Sequence, residues 1–333
     1  MMRKRLTLFA FVLASIVVVL GAWTRLVDAG LGCPDWPGCY GFLVVPSSAE
    51  HVAIAQERFP HAPVEAHRAW PEMVHRYFAS TLGFVIVVMT ILFVRGQREA
   101  NRPPLKLPIA LLAMVILQGA FGAWTVTLKL WPQVVTAHLL GGFTTLSLIW
   151  LLYLRQSPGL RGNWQVPDHL LRLARLALIV VVFQIALGGW VSSNYAALAC
   201  RDFPTCHGQI LPPMDFAEGF NVLQEVGPNY LGGQLENDAR VTIQVVHRFG
   251  ALMVLLIGGL LVFRLWQAGS RFAFTLAMVI GAQIGLGIAN VLLLLPLTIA
   301  TLHNAVGALV LLTLVTVDFR AFQSRPQYKG TST

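Results

Sequence analysis

Eight apolar runs, each about as long as a bilayer is thick, constrain this chain more than anything else in it. A helix needs about 20 apolar residues to cross the hydrocarbon core. The runs fall at 6–26, 73–94, 107–127, 133–154, 171–192, 241–264, 272–293 and 297–318. A backbone in lipid must satisfy its own hydrogen bonds, and a helix does so within one segment. The expected fold is an all-α integral membrane protein with eight transmembrane helices. A composition 56% hydrophobic and only 12% charged agrees. The first run follows Arg3-Lys4-Arg5, as a signal peptide would. No small-x-small cleavage site closes it and its end recurs later in the chain, so it is expected to be retained.

A net charge of +9 invites a nucleic-acid reading, which the placement of the charges removes. With the N-terminus in the cytoplasm, the inner segments carry Arg3, Lys4 and Arg5; Arg95, Arg98, Arg102 and Lys106; Arg155, Arg161, Arg172 and Arg175; Arg264 and Arg271; and Arg320, Arg325 and Lys329. That is 16 of the 24 basic residues, against three acids, Glu99, Asp168 and Asp318. The basic balance is then the positive-inside bias, with both termini cytoplasmic. Two outer loops are long, 27–72 and 193–240. Ser48 to Phe59 in the first reads as a short amphipathic surface helix. The second is rich in Gly, Pro and Asn, and no structure is assigned to it.

The chain repeats itself. Gly21-Ala22-Trp23-Thr24 is echoed by Gly188-Gly189-Trp190-Val191, and Cys33-Pro34-Asp35-Trp36-Pro37-Gly38-Cys39 by Cys200-Arg201-Asp202-Phe203-Pro204-Thr205-Cys206, both at an offset of 167. Val74-His75-Arg76 returns as Val246-His247-Arg248, and Thr136-Ala137-His138 as Thr301-Leu302-His303. Each unit has an even number of spans, so the two share one orientation. Two pseudo-symmetric four-helix bundles follow, a parallel repeat about an axis along the membrane normal, with units at 1–157 and 158–333.

His75, His138, His247 and His303 open the even-numbered spans, which places four imidazoles at one depth near the outer face. A single intramembrane histidine usually makes a polar contact between helices, but two matching pairs point to ligation. Two histidines per unit, without an accompanying Cys or repeated acid, are too few for zinc or copper. Facing histidines in a four-helix bundle suit the axial positions of haem iron. Gly83, Gly141, Gly142, Gly250 and Gly307 offer room for the ring, or simply let helices pack closely. Arg76 and Arg248 are candidate partners for haem propionates; the alternative is snorkelling to lipid headgroups. His51, His61, His67, His169 and His207 lie in loops without repeat partners and read as surface residues.

The two units differ at one position of consequence. Glu72 lies one turn from His75, whereas Gln244 lies one turn from His247. A carboxylate exchanges protons and stabilises positive charge; an amide does not exchange protons. The N-terminal unit therefore reads as the reacting one and the C-terminal unit as a fixed haem site. The plainer alternative is an acid favoured by the helix dipole. Each Cys-x5-Cys pair lies on the outer, oxidising side. Disulfides Cys33–Cys39 and Cys200–Cys206 are the simple reading, with a redox-active thiol pair or a cross-loop bridge as alternatives.

At these residues the chain resembles the haem A synthase family, bacterial and mitochondrial membrane enzymes that convert haem O to haem A. The likeness rests on the duplicated four-helix unit, the histidine heading each even span, Glu72-x-x-His75-Arg76, and the loop from Thr24-Arg25-Leu26 to Cys39. It implies oxidation of a haem O methyl group to a formyl group by successive hydroxylations. It places His75 and His138 around the substrate haem, His247 and His303 on a haem b, and matches Glu72 to the family's essential acid. It also implies loop disulfides at the cysteine pairs of some members, an upstream haem O synthase, and delivery of haem A to a terminal oxidase. The electron donor stays unassigned. The expected location is the bacterial inner membrane, N-in and C-in, with the haem sites near the outer face. A non-catalytic di-haem b electron carrier is the rival, disfavoured by the difference between Glu72 and Gln244. A proton-relaying transporter lacks the broken mid-membrane helices such sites use.

Overall fold

The computed structural model describes residues 2–98, 103–157 and 167–323. Arg102, Arg161, Arg325, Lys329 and Glu99, all expected on the inner side, lie outside the described residues, as does the start of the second unit at 158–166. Ten helices are described: α1 (Met2–Leu26), α2 (Ala49–Arg58), α3 (Ala66–Arg95), α4 (Lys106–Thr127), α5 (Pro132–Arg155), α6 (Asp168–Ser193), α7 (Phe216–Gly219), α8 (Asn237–Gln267), α9 (Phe272–Leu292) and α10 (Leu297–Gln323). All but α2 and α7 are long and apolar enough to cross a membrane. Among the described residues there is no strand, only two isolated bridges.

The helices form because lipid leaves the backbone no other partner, and the largest apolar side chains point outward accordingly. Phe84 and Phe183 are each 68% exposed and Phe274 73%. In water such surface would drive aggregation; in a bilayer it is the face that meets lipid. Two spans begin earlier than the apolar runs that mark them. Helix α3 starts at Ala66, upstream of the expected 73, and α8 at Asn237, upstream of 241. Hydropathy reports the part of a helix in lipid, while the helix itself continues under the loop that covers it.

Helices α1, α3, α4 and α5 pack as a closed ring, each on the next and α5 back on α1. Helices α6, α8, α9 and α10 do the same. Across the seam α5 meets α6, α10 meets α1, and α5 meets α10. Exchanging the first ring for the second maps this set of contacts onto itself.

The two cysteine loops are built alike. Cys33–Cys39 and Cys200–Cys206 are both disulfides. Inside each, an aspartate closes the turn: Asp35 accepts from the N–H groups of Tyr40 (2.6 Å) and Gly41 (2.8 Å), and Asp202 from those of His207 (2.8 Å) and Gly208 (2.9 Å). The Thr205 hydroxyl and these N–H donors hold the Asp202 carboxyl well below the usual carboxylate range. Helix α2, capped by Ser48 through the His51 N–H, packs Ala55 against the first hairpin and Met73. The second long loop, to which the sequence assigns no structure, carries the short α7 and is tied to the helix rims. The indole N–H of Trp190 donates to the Gly219 carbonyl (2.8 Å) and that of Trp131 to the Gln224 carbonyl (3.1 Å). Indoles at a helix rim need a polar partner when buried, and this loop supplies it. His51, His61, His67, His169 and His207 are exposed, as expected.

Arg25 locks the first ring to the second. Its guanidinium donates to the Tyr195 hydroxyl (2.8 Å) and the Ser192 carbonyl (2.6 Å), lies 4.2 Å from the Tyr195 ring centroid, and pairs with Asp28. The Tyr195 hydroxyl in turn donates to Asp28 (2.9 Å). Arg25→Ala is expected to cost about 2 kcal/mol, the scale of a charge-assisted hydrogen bond, read as a lower thermal unfolding midpoint in detergent. Arg25→Lys should recover only part of it, because an ammonium lacks the fork that spans both acceptors.

Candidate functional site

The largest apolar cluster occupies one half of the double bundle, and smaller ones lie under the loops of the other. The buried side chains of the largest stop at Ala14 on α1, Val181 on α6 and Ile280 on α9, and begin at Leu82 on α3, Phe143 on α5, Val254 on α8 and Ala308 on α10. All of these lie toward the ends that carry the termini. The other half, under the two long loops, holds His75, His138, His247 and His303. There the described side chains of the main core give way to half-buried residues.

Each imidazole faces a glycine on the preceding transmembrane helix. A Cβ on Gly21 would stand 2.9 Å from His75 Cε1, on Gly122 3.7 Å from His138 Cε1, on Gly188 3.4 Å from His247 Cε1, and on Gly287 3.1 Å from His303 Cε1. Seven residues after each of these glycines the chain turns through left-handed backbone, at Asp28, Lys129, Tyr195 and Leu294. Each helix then closes with a bond from the next N–H to the carbonyl five residues back, from Ala29, Leu130, Ala196 and Leu295. The repeating unit of the site is therefore a helical hairpin, present four times, and the four-helix units are pairs of it.

This finer repeat escaped the sequence reading. Gly122-Ala123-Trp124-Thr125 duplicates Gly21-Ala22-Trp23-Thr24 letter for letter and was the available signal. Gly141 and Gly250, expected to make room for a ring, are instead occupied by side chains: a Cβ there would overlap the amides of Gln118 and Gln184. A Cβ on Gly307 would stand 3.4 Å from the Gln283 amide nitrogen.

The histidines pair within units. His138 lies within electrostatic reach of His75, and His247 of His303. The Nδ1 atoms of His75, His138 and His303 are sealed from solvent without a hydrogen-bond partner. Among the described residues no group of three or more His, Cys, Asp and Glu side chains could hold a bare metal ion. Two imidazoles per unit, with no cluster of further protein donors beside them, fit a group that brings its own equatorial donors, as haem does.

Glu72 and Gln244 are both buried, in contrasting networks. Glu72 Oε2 accepts from the Cys33 N–H (3.0 Å), and its Oε1 is paired with Arg76 Nη2. Arg76 Nη1 then donates to the carbonyls of Asp35 (3.0 Å), Pro37 (3.3 Å) and Gly38. In the second unit Arg248 likewise donates to hairpin carbonyls, those of Thr205 (2.7 Å) and Cys200 (3.0 Å), while Gln244 Oε1 is buried without a partner. An acid that adds a second link between arginine and hairpin is thus present in the first unit and replaced by an amide in the second. Both guanidinium groups are bonded to hairpin carbonyls. The carbonyls of a tight disulfide-closed hairpin have no strand to pair with, and the arginines satisfy them.

The whole chain has counterparts. Residues 4–315 match a family model, COX15-CtaA, described as cytochrome oxidase assembly protein. A protein of Shewanella oneidensis named haem A synthase is 44% identical over 91% of this chain and 92% of its own length. Proteins of the same name from a Chelativorans species and from Beijerinckia indica are each 30% identical, over 95% and 90% of this chain and 88% and 87% of their own.

The glycine seats differ in tightness, and the difference is measurable. Gly21→Ala forces His75 to move and is expected to cost about 1–3 kcal/mol. Gly122→Ala, with ordinary van der Waals distance to His138, should be close to neutral. Thermal unfolding of the two purified variants compares them.

Proposed function

The chain belongs to the COX15-CtaA family of cytochrome oxidase assembly proteins, and from that premise we propose that it is a membrane oxidoreductase that converts haem O to haem A. It oxidises a methyl group of haem O to a formyl group by successive hydroxylations, in haem A formation for terminal oxidases. The relatives at 44% and 30% identity, matched over nearly their whole length, support this and not a di-haem carrier without catalysis. The structural observation that supports it is the set of four imidazoles, two to a unit, each against a glycine of the preceding transmembrane helix and outside the main apolar core.

His75 and His138 flank the substrate haem in the N-terminal unit. His247 and His303 hold a haem b in the C-terminal unit. When bound, that haem supplies an electron-transfer centre. Glu72 is the residue that makes the first unit reactive: its carboxylate exchanges a proton or stabilises positive charge beside His75, and the amide of Gln244 exchanges none. The disulfide hairpins, clamped by Arg76 and Arg248, cover the two sites. A propionate reaching either arginine would have to compete with hairpin carbonyls. The protein sits in the bacterial inner membrane with both termini in the cytoplasm and the haem sites near the outer face, as the distribution of Lys and Arg supports. A haem O synthase supplies the substrate and a terminal oxidase receives the product.

In a host that supplies haem O, Glu72→Gln should retain bound haem while haem A formation falls by about 100-fold or more, the scale of a lost acid–base group. Chromatography of extracted pigments reads both. Haem A at the wild-type level would remove Glu72 from the chemistry.

A further inference from the structure

Three of the four imidazoles have a glutamine four residues before their glycine seat. Gln184 precedes Gly188, Gln283 precedes Gly287 and Gln118 precedes Gly122; the corresponding residue before Gly21 is Val17. Gln184 Nε2 lies 3.1 Å from His247 Nδ1 and also donates to the His247 main-chain carbonyl (3.0 Å). Gln283 Nε2 lies 3.3 Å from His303 Nε2. The Gln118 amide fits against Gly141, with its Nε2 buried and unpartnered. Gln184 Oε1 and Gln283 Oε1 are buried without partners as well. His75 has only the main chain of Val17 to bond to.

Buried amide atoms without partners are costly in a membrane interior. Two of them, at one repeat position and each beside an imidazole, need a reason. As placed, each amide nitrogen donates to a ring nitrogen; half a turn of the amide presents Oε1 instead, which accepts from a ring N–H and leaves the other nitrogen free for iron. The partner of the second ring nitrogen sets which nitrogen is free for iron, and fixes the ring plane. Glycine at 250 gives the Gln184 amide its space.

We propose that Gln184 and Gln283 are positioning residues that fix the ring plane and tautomer of His247 and His303 for haem iron, whereas Gln118 makes no bond to His138 and Val17 offers no side-chain amide to His75. The two imidazoles of the C-terminal unit are then both braced, which suits a resident haem. In the N-terminal unit neither imidazole has such a brace, which suits a site that takes in one haem and releases another. The inference rests on haem ligation by these histidines, as given under the proposed function.

The test uses the purified full-length protein. Haem retention, the low-spin absorption spectrum and the midpoint potential are measured for wild type, Gln184→Leu, Gln184→Glu and His247→Ala. Gln184→Leu should weaken haem retention about 10- to 100-fold, the usual effect of removing such a partner, and raise the potential, because the ligand becomes less basic. Gln184→Glu should retain haem and lower the potential, because a carboxylate is the stronger acceptor. Leucine is close to glutamine in size, so a role in packing alone would leave the potential where it was. Wild-type retention, spectrum and potential in Gln184→Leu would overturn the inference. Should that variant not accumulate, Gln283→Leu decides by the same readouts at the partner ligand, with the same upward shift expected. A wild type with no haem that His247→Ala removes is a separate result: it defeats the ligation reading, and the inference with it.

Discussion

The contact between an imidazole and the glycine across from it is what the rest of this structure depends on. A histidine ring in lipid is tolerated only where another helix comes close enough to shield it. Glycine at 21, 122, 188 and 287 allows that approach. The left-handed turn seven residues later then returns the chain so that the next helix brings its histidine to the same depth. Repeating this hairpin four times produces two rings of four helices, with one pair of imidazoles in each.

The main apolar core lies in the half nearer the termini, and only smaller apolar clusters lie under the loops. Covering the histidines falls to the loops, and their strength comes from polar contacts: disulfides, aspartate-closed turns, and an arginine one position after the histidine that reaches into hairpin carbonyls. The departure from symmetry is concentrated there. In the first unit a carboxylate pairs with the arginine and accepts from the Cys33 N–H, beside the arginine's own bonds to the hairpin. In the second the arginine contacts the Cys200 carbonyl and the equivalent amide oxygen is unused. One scaffold thus yields a unit with an ionisable group beside its histidine and a unit without one.

Much of this was legible in the sequence. The eight spans, the Cys-x5-Cys disulfides, the offsets that align His75 with His247 and His138 with His303, and the contrast between Glu72 and Gln244 all follow from residue type and spacing. What was not legible depends on which way a helix faces. Gly21 and Gly188 read as repeat markers and not as seats, because a helix phase cannot be assigned where hydrophobic residues cover every side. Gln118, Gln184 and Gln283 share one register, but Val17 breaks it in the first hairpin, and Ala289 replaces the tryptophan in the last. The partners that the two arginines have here were not legible for another reason. These partners are main-chain carbonyls of loops that fold back onto the helix, and no sequence pattern names a carbonyl. The second long loop carried no structure legible in its composition, yet two buried indoles required acceptors and drew it into place.

The central claim is that each bundle holds iron between its own two histidines. The direct measurement is the low-spin ferric haem signal of the purified protein in magnetic resonance, taken for wild type and for alanine at each of the four histidines in turn. Pairing within units requires that His247→Ala and His303→Ala abolish the same signal, and that His75→Ala and His138→Ala leave that signal in place. A signal untouched by all four substitutions, or one lost in a pair drawn from different units, would contradict it.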